Sequence, residues 1–553
     1  MKQIPSLVIT ALVVAAPVGA QDKGAEIDKI FRWATPTTPG CAVAVSHHGK
    51  QVVSRAYGLA DLEREVPITP QTIFDAASVV KQLVAAATLL LAEEGRLSLT
   101  ADIHTYIPEL PAYGHTITLD HLMTHTSGIR DWTGLGPLTG RQVDALTLTL
   151  RQRGLNFAPG EEWAYSNGGY VLLKEIVART SGMSFAEFTR KRLFEPLGMT
   201  RTVYAVDLRR VVKNRALAYE KRGGDWTLDV QLDIDRGGGG ALLSTPTDLL
   251  IWNDALTNAR LGAFVTGKLQ EPARLNNGRT LGYGRGLFLD LSGATRAQWH
   301  SGGSAGYGTF LARVPEHGLS IATMCNAGET ATGGAYARRI LRMFAPAAAR
   351  RDAETSTPAA TTGVGATLQA FDVKDKAGLF FSEANGQPLR LGVENGRLRI
   401  AGGPALEAVT ADRFRNPRGA LSVMSQDEFE LRFVAPDLVE LQSMEGRTTR
   451  FRRARRYTPT TEDLQGFVGR YSNDENRTVF DITAANGGLA VRVSWNHAQP
   501  FEFRPVDRDT FQLAGMIVRF RRDTPGKIVG LAYSNPVVRN IEFTRACECA
   551  GGP

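Results

Sequence analysis

The chain has 553 residues, 43% hydrophobic and 22% charged, with a formal net charge of +8. This is ordinary globular composition, long enough for about three domains. Its four cysteines are too few for a disulfide scaffold, and past residue 20 no apolar stretch approaches the roughly 20 residues of a membrane-spanning helix.

Residues 1–20, MKQIPSLVITALVVAAPVGA, carry a basic Lys2, an apolar run and small residues at the end. They read as a secretory signal peptide cut before Gln21, so the mature protein is expected to be exported, periplasmic or secreted. Residues 41–58 hold two β-rich runs around His48-Gly49-Lys50, a hairpin signal. Cys41 lies in the first run and Cys325 in a later one. Both read as buried small hydrophobes, and whether they pair depends on an oxidising compartment.

At residues 74–83, FDAASVVKQL, Ser78 and Lys81 stand one helical turn apart at the head of a segment that is apolar on every face. Such a helix is buried. Positions i and i+3 share a face, so Lys81 reaches Ser78. Burial disfavours the charged amine and brings it toward the range of a useful base. Structurally, the same pair could be a helix cap beside a lysine that snorkels to water.

Further along, Leu122-Met123-Thr124-His125-Thr126-Ser127-Gly128 precedes a Y-x-N triplet, Tyr165-Ser166-Asn167, set between a Pro159-Gly160 turn and an apolar helix at 171–177. Tyr471-Ser472-Asn473 and Tyr533-Ser534-Asn535 spell the triplet again and read as strand-to-turn junctions. Helices and loops dominate to about residue 260. Strand patterns return at 298–300, 309–314 and 319–325, before an amphipathic helix at 334–344. An H-x-G, His300-Ser301-Gly302, followed by Gly303, closes the first of these strands. Two early and three late strands imply one antiparallel sheet closed by sequence-distant pieces, with helices around it.

Residues 346–365 are rich in Ala, Thr and Pro and read as a linker. Beyond it the chain turns to short alternating strands, and it repeats. Gly378-Leu379-Phe380 echoes Gly469-Arg470-Tyr471, and Phe451-Arg452-Arg453-Ala454 echoes Phe543-Thr544-Arg545-Ala546. Two small antiparallel β-barrels are expected, at 366–456 and 457–548, because closure removes exposed strand edges. The run from Arg450 to Arg456 reads as a solvated strand end, not a nucleic-acid surface. Cys547-Glu548-Cys549 reads as a frayed end, not a metal site.

Taken in order, S-x-x-K, Y-x-N and H-x-G resemble the superfamily of serine β-lactamases and penicillin-recognising DD-peptidases. Thr124 to Gly128, Pro196-Leu197-Gly198-Met199 and Gly238-Gly239-Gly240-Ala241-Leu242-Leu243-Ser244-Thr245 look similar too. The resemblance covers about residues 25–345. It implies an α/β fold, an antiparallel sheet flanked by helices, over a domain at 21–345. It also implies an acyl-enzyme mechanism without metal or cofactor. On it, Ser78 is the nucleophile, and Lys81 and Tyr165 share the proton transfers, the phenol ionising more easily beside a lysine cation. Asn167 orients the lysine and hydrogen-bonds a substrate amide. Backbone N–H groups of Ser78 and Gly303 form the oxyanion hole, and Ser301 and Gly302 line the substrate. His300, mostly neutral, replaces the fixed cation of a Lys-Thr-Gly motif and offers a substrate carboxylate a hydrogen bond in place of a charge.

With two β-rich repeats behind it, the arrangement most closely resembles the D-stereospecific aminopeptidases, in which a barrel loop limits access to the site. That implies hydrolysis of short peptides, amides or esters carrying a D-residue, peptidoglycan-derived ones among them. A broad carboxylesterase, a weak β-lactamase and a non-hydrolytic cell-wall or β-lactam binder are the alternatives.

Overall fold

The computed structural model describes residues 19–140, 143–207, 209–229, 240–290, 296–328, 333–344, 372–383, 386, 388–401, 405–416, 429–443, 448–455 and 457–546. The expected signal peptide up to residue 18, the linker at 346–365, Gly238-Gly239 and the cysteines at 547 and 549 lie outside the described residues.

Six strands form the central antiparallel sheet: β1 (Cys41–His47), β2 (Lys50–Tyr57), β3 (Phe288–Leu289), β4 (Gln298–Ser304), β5 (Tyr307–Val314) and β6 (Leu319–Cys325). Their spatial order is β3-β4-β5-β6-β1-β2, so the two early strands complete a sheet begun by the late ones. The turn joining β1 to β2 places both His48 and Gly49 at positive φ, the backbone a two-residue hairpin requires. Strand β1 lies in the interior of the sheet and is buried at six of its seven positions. Side chains alternate across the sheet, so Ala42 and Ala44 enter one core while Cys41, Val43 and Val45 enter another.

Helices cover both faces. On the first core lie α2 (Val80–Glu93), α3 (Asn167–Ser181) and α4 (Pro246–Thr257), whose apolar side chains share one cluster. On the second lie α1 (Gly19–Ile30), which spans the expected cleavage point, and α5 (Gly333–Phe344), through Ile27, Ile30, Ala337 and Ile340. Cys41 and Cys325 pair in register across β1 and β6 and form a disulfide. They are therefore not merely small apolar fillers.

Two barrel-like sheets of eight strands follow. The strands between residues 378 and 453 almost close, the gap carrying one isolated bridge, Arg399 to Ala405. Those between 469 and 545 close fully. The repeat has a shared physical form, since the Arg453 guanidinium covers the Phe380 ring and that of Arg545 covers Tyr471. Within the basic run, Arg450 pairs with Glu440, Arg452 pairs with Glu383 and Asp437, and Arg453 caps backbone carbonyls. Leu379 and Phe381 of the first barrel meet Ile517 of the second. Leu135, Leu138 and Leu148 of the helical lobe are buried in the second barrel's own core cluster.

Candidate active site

Ser78 sits in a single 3-10 turn, Ala77–Val79, that runs directly into α2. The turn is sharp, with Ala77 at φ 47°, and the buried Asp75 carboxylate accepts the Ala77 N–H at 2.7 Å. N–H groups in the first turn of a helix have no intrahelical partner, so this corner presents donors and a positive dipole end.

Lys81 follows one turn later and is 4% exposed. Its Nζ lies 3.1 Å from Ser78 Oγ and 2.8 Å from Asn167 Oδ1. Burial among the apolar residues of α2 pushes its pKa down from 10.5 to about 7, partly opposed by the Asp131 carboxylate and reinforced by Lys174. Near neutral pH the amine is thus balanced between donating to Ser78 Oγ as an ammonium and accepting its proton as a free base.

Asn167 opens α3, which is capped by Ser166 Oγ accepting the Gly169 N–H. Tyr165, just before, is hydrogen-bonded to Ser78, and the Lys81 ammonium stands 4.7 Å from its ring centroid. Burial drives the Tyr165 phenol upward, outweighing the lowering effect of the Ser78 bond. This corrects the expectation of an easily ionised phenol, because removal from water disfavours phenolate more than its partners favour it. Tyr165 rests as a proton donor.

His300 is placed differently from its expected role. It is 0% exposed, beneath Tyr165, and burial followed by the nearby Lys81 pushes its pKa down to about 3. Its Nδ1–H donates to the Ser301 carbonyl at 2.5 Å, leaving Nε2 facing the Tyr283 hydroxyl at 3.4 Å. A ring so enclosed has no face for a substrate carboxylate in this conformation. It belongs instead to a buried hydrogen-bonded chain. The Ser166 N–H donates to His125 Nδ1 at 3.1 Å, and His125 Nε2 meets the same Tyr283 hydroxyl at 3.1 Å. The Y-x-N turn and strand β4 are joined through two neutral imidazoles and a phenol.

Gly302 also serves a purpose other than lining substrate. A Cβ there would lie 2.2 Å from the Ala76 carbonyl oxygen, so its missing side chain lets β4 press against the nucleophile turn. Ser301 is half-buried, while Gly303 is exposed with open space above it. Of the strand's residues, Gly303 is the one suited to offering its N–H across from Ser78.

Asp131 and Lys174 have no counterpart among the residues singled out from sequence. Asp131 Oδ2 accepts from both the backbone N–H and Nδ2 of Asn167, at 2.5 and 3.0 Å. Lys174, on α3, donates to the Tyr204 hydroxyl at 2.8 Å, and burial holds it at about 7. The argument that selects Lys81, an amine on an apolar helix, applies to Lys174 as well; Asp131 carries no such signal. The remaining Y-x-N copies are structural: Tyr471 and Tyr533 fill the barrel core, and Asn473 and Asn535 tie turns. His48 lies in the β1–β2 hairpin turn. Among the described residues no group of three or more His, Cys, Asp or Glu side chains is placed to share a metal ion, and no helix is long and apolar enough to cross a membrane.

The family model described as Beta-lactamase matches residues 30–343. Penicillin-binding protein 4* of Bacillus subtilis (strain 168) is 30% identical over 313 residues, which is 52% of this chain and 68% of that protein. A D-aminopeptidase of Brucella anthropi is 23% identical over 533 residues, 92% of this chain and 95% of its own length. Among solved structures, the octameric penicillin-binding protein homologue from Pyrococcus abyssi shares the fold with a TM-score of 0.54 at 21% identity, covering 78% of this chain and 99% of that one.

Proposed function

The chain belongs to the Beta-lactamase family and is a serine hydrolase, and from that premise we propose that it works through an acyl-enzyme on Ser78, cleaving small peptides, amides or esters whose acyl part is a D-residue. The observation that carries the proposal is the Ser78–Lys81 pair, 3.1 Å apart with the amine brought to about 7.

The steps follow from the protonation states. Neutral Lys81 takes the Ser78 proton while Oγ attacks the substrate carbonyl, and Asn167 Oδ1 receives the lysine N–H that this leaves pointing inward. The oxyanion forms opposite the N–H groups of Ser78 and Gly303. Tyr165, protonated at rest, hands its proton to the leaving amine or alkoxide and takes one back from the Lys81 ammonium, which returns the amine to its free-base form. Water then enters by the reverse sequence, with the same amine as base, and releases the acid.

The D-residue specificity is supported by the relative named D-aminopeptidase, which this chain matches across its catalytic part and both barrels. Export is part of the same reading, supported by the basic-then-apolar start and the Cys41–Cys325 disulfide. Retention with cytoplasmic markers on fractionation would count against it. The deciding experiment is a set of steady-state rates on D- and L-aminoacyl amides, D-Ala-D-Ala peptides, nitrocefin and simple esters, with Ser78→Ala beside the parent. Turnover of D-amides lost in the variant is expected. If an active-site probe labels Ser78 and no D-amide, D-peptide or D-ester is cleaved, the substrate assignment fails; fast cleavage of short-chain esters alone would make the protein a carboxylesterase.

A further inference from the structure

We propose that Asp131 is a positioning residue for Lys81: its buried carboxylate fixes which end of the Asn167 amide faces the lysine, and the last barrel holds that carboxylate in place. The inference rests on the acyl-enzyme reading of Ser78.

The hydrogen bonds leave one arrangement. Asp131 is 1% exposed. One of its oxygens accepts from Asn167 N and Nδ2, and the other accepts from Thr133 N at 2.8 Å and Thr133 Oγ1 at 2.9 Å. An ionised carboxylate only accepts, so the amide nitrogen of Asn167 must turn toward it. The amide oxygen is then the end presented to Lys81 Nζ, at 2.8 Å. Turned over, Asn167 would set oxygen against carboxylate and N–H against ammonium.

The charges agree with the geometry. Around Lys81 stand Ser78 on its own turn, Tyr165 and Tyr170 with ring centroids at 4.7 and 5.4 Å, His125 and His300 from two other elements, and Lys174 from α3. Burial keeps both phenols protonated and both imidazoles neutral. Lys174 works against the Lys81 ammonium, and Asp131 is the charge that supports it.

The residues on either side of Asp131 are gripped by the second barrel. Arg130 donates to Glu475 Oε2 at 3.0 Å and to the Asn540 carbonyl at 3.1 Å. Directly after Thr133 the grip continues, with the Gly134 carbonyl accepting Asn535 Nδ2 at 2.7 Å and Leu135 buried among barrel side chains. A barrel contact thus ends on the residue beside Asp131, which itself lies two hydrogen bonds from the reacting amine.

The test is the pH dependence of Ser78 labelling by a fluorophosphonate in the full-length protein, for the parent, Asp131→Asn and Asn535→Ala. The parent is expected to label faster as pH rises through about 7; if it does not label at Ser78 at all, the acyl-enzyme reading of Ser78 fails. Asp131→Asn keeps the shape and removes the charge. Its rising limb should move to lower pH, because the ammonium loses its support, and its plateau rate should fall at least tenfold. A lower plateau with the limb unmoved would make Asp131 merely structural and overturn the proposal. Asn535→Ala lies in the barrel and touches no residue of α2. A threefold or greater loss of plateau rate supports the barrel's grip, and an unchanged rate removes it.

Discussion

A lysine brought to about 7 by its surroundings gives activity a direction in pH. The free amine is the base, so kcat/KM for a D-aminoacyl amide should climb as pH is raised through about 7 and flatten above it, and a profile that falls over that interval would contradict the assignment. Ser78→Ala should abolish turnover while leaving the melting temperature within a few degrees, since the hydroxyl caps no helix N–H and its bonds to Lys81 and Tyr165 contribute typically about 0.5–1.5 kcal/mol each. Both are checked on one purified pair, by a pH series and a thermal melt. Residues that share a short stretch of chain were legible in the sequence: Ser78 with Lys81, Tyr165 with Asn167. What each ring does at depth was not. His300 carries the same letters whether it faces a substrate or lies under Tyr165, and its enclosure depends on side chains from residues 125, 165 and 283 that only the fold assembles.

The site is made where elements meet. Strand β4 approaches the Ala76–Ala77 backbone closely enough that Gly302→Ala must force them apart. Overpacking of this kind costs typically about 1–3 kcal/mol. The variant should lose several degrees of thermal stability and at least tenfold in kcat, because moving β4 also moves Gly303 relative to Ser78; wild-type kinetics would show that the contact does not set the oxyanion geometry. At this scale the sequence yielded the antiparallel sheet, the β1–β2 hairpin and the 334–344 helix, each marked by a periodicity or a turn residue. It did not yield the linkage from Ser166 through His125, Tyr283 and His300 to Ser301, since its members come from four separated segments. Asp131 was missed for a similar reason: a lone acid after a Thr-Ser-Gly turn has no period to betray it.

Across the whole molecule, the barrels were readable as a repeat, but their docking was not, because it runs through scattered pairs such as Arg539 with Glu162 and Gln152 with Asn476. The disulfide joins strands 284 residues apart in sequence. Replacing Cys41 and Cys325 together by Ala should lower unfolding free energy by about 2–5 kcal/mol in urea titrations, with the steady-state rates retained; unchanged stability would mean the bond is absent from the working protein.

The seating of β1 beside β6 also dictates when this molecule can be built. A ribosome adding roughly 5–20 residues per second needs on the order of 15–60 s to travel from one partner to the other. Throughout that interval β1 has β2 along one edge, but its other edge lacks the strand it pairs with in the finished sheet. Closure of such distant contacts is slow in any case. Nascent chains halted short of residue 319 should therefore remain open to protease and bound by holding chaperones, and resistance should arise only after the final strand has emerged.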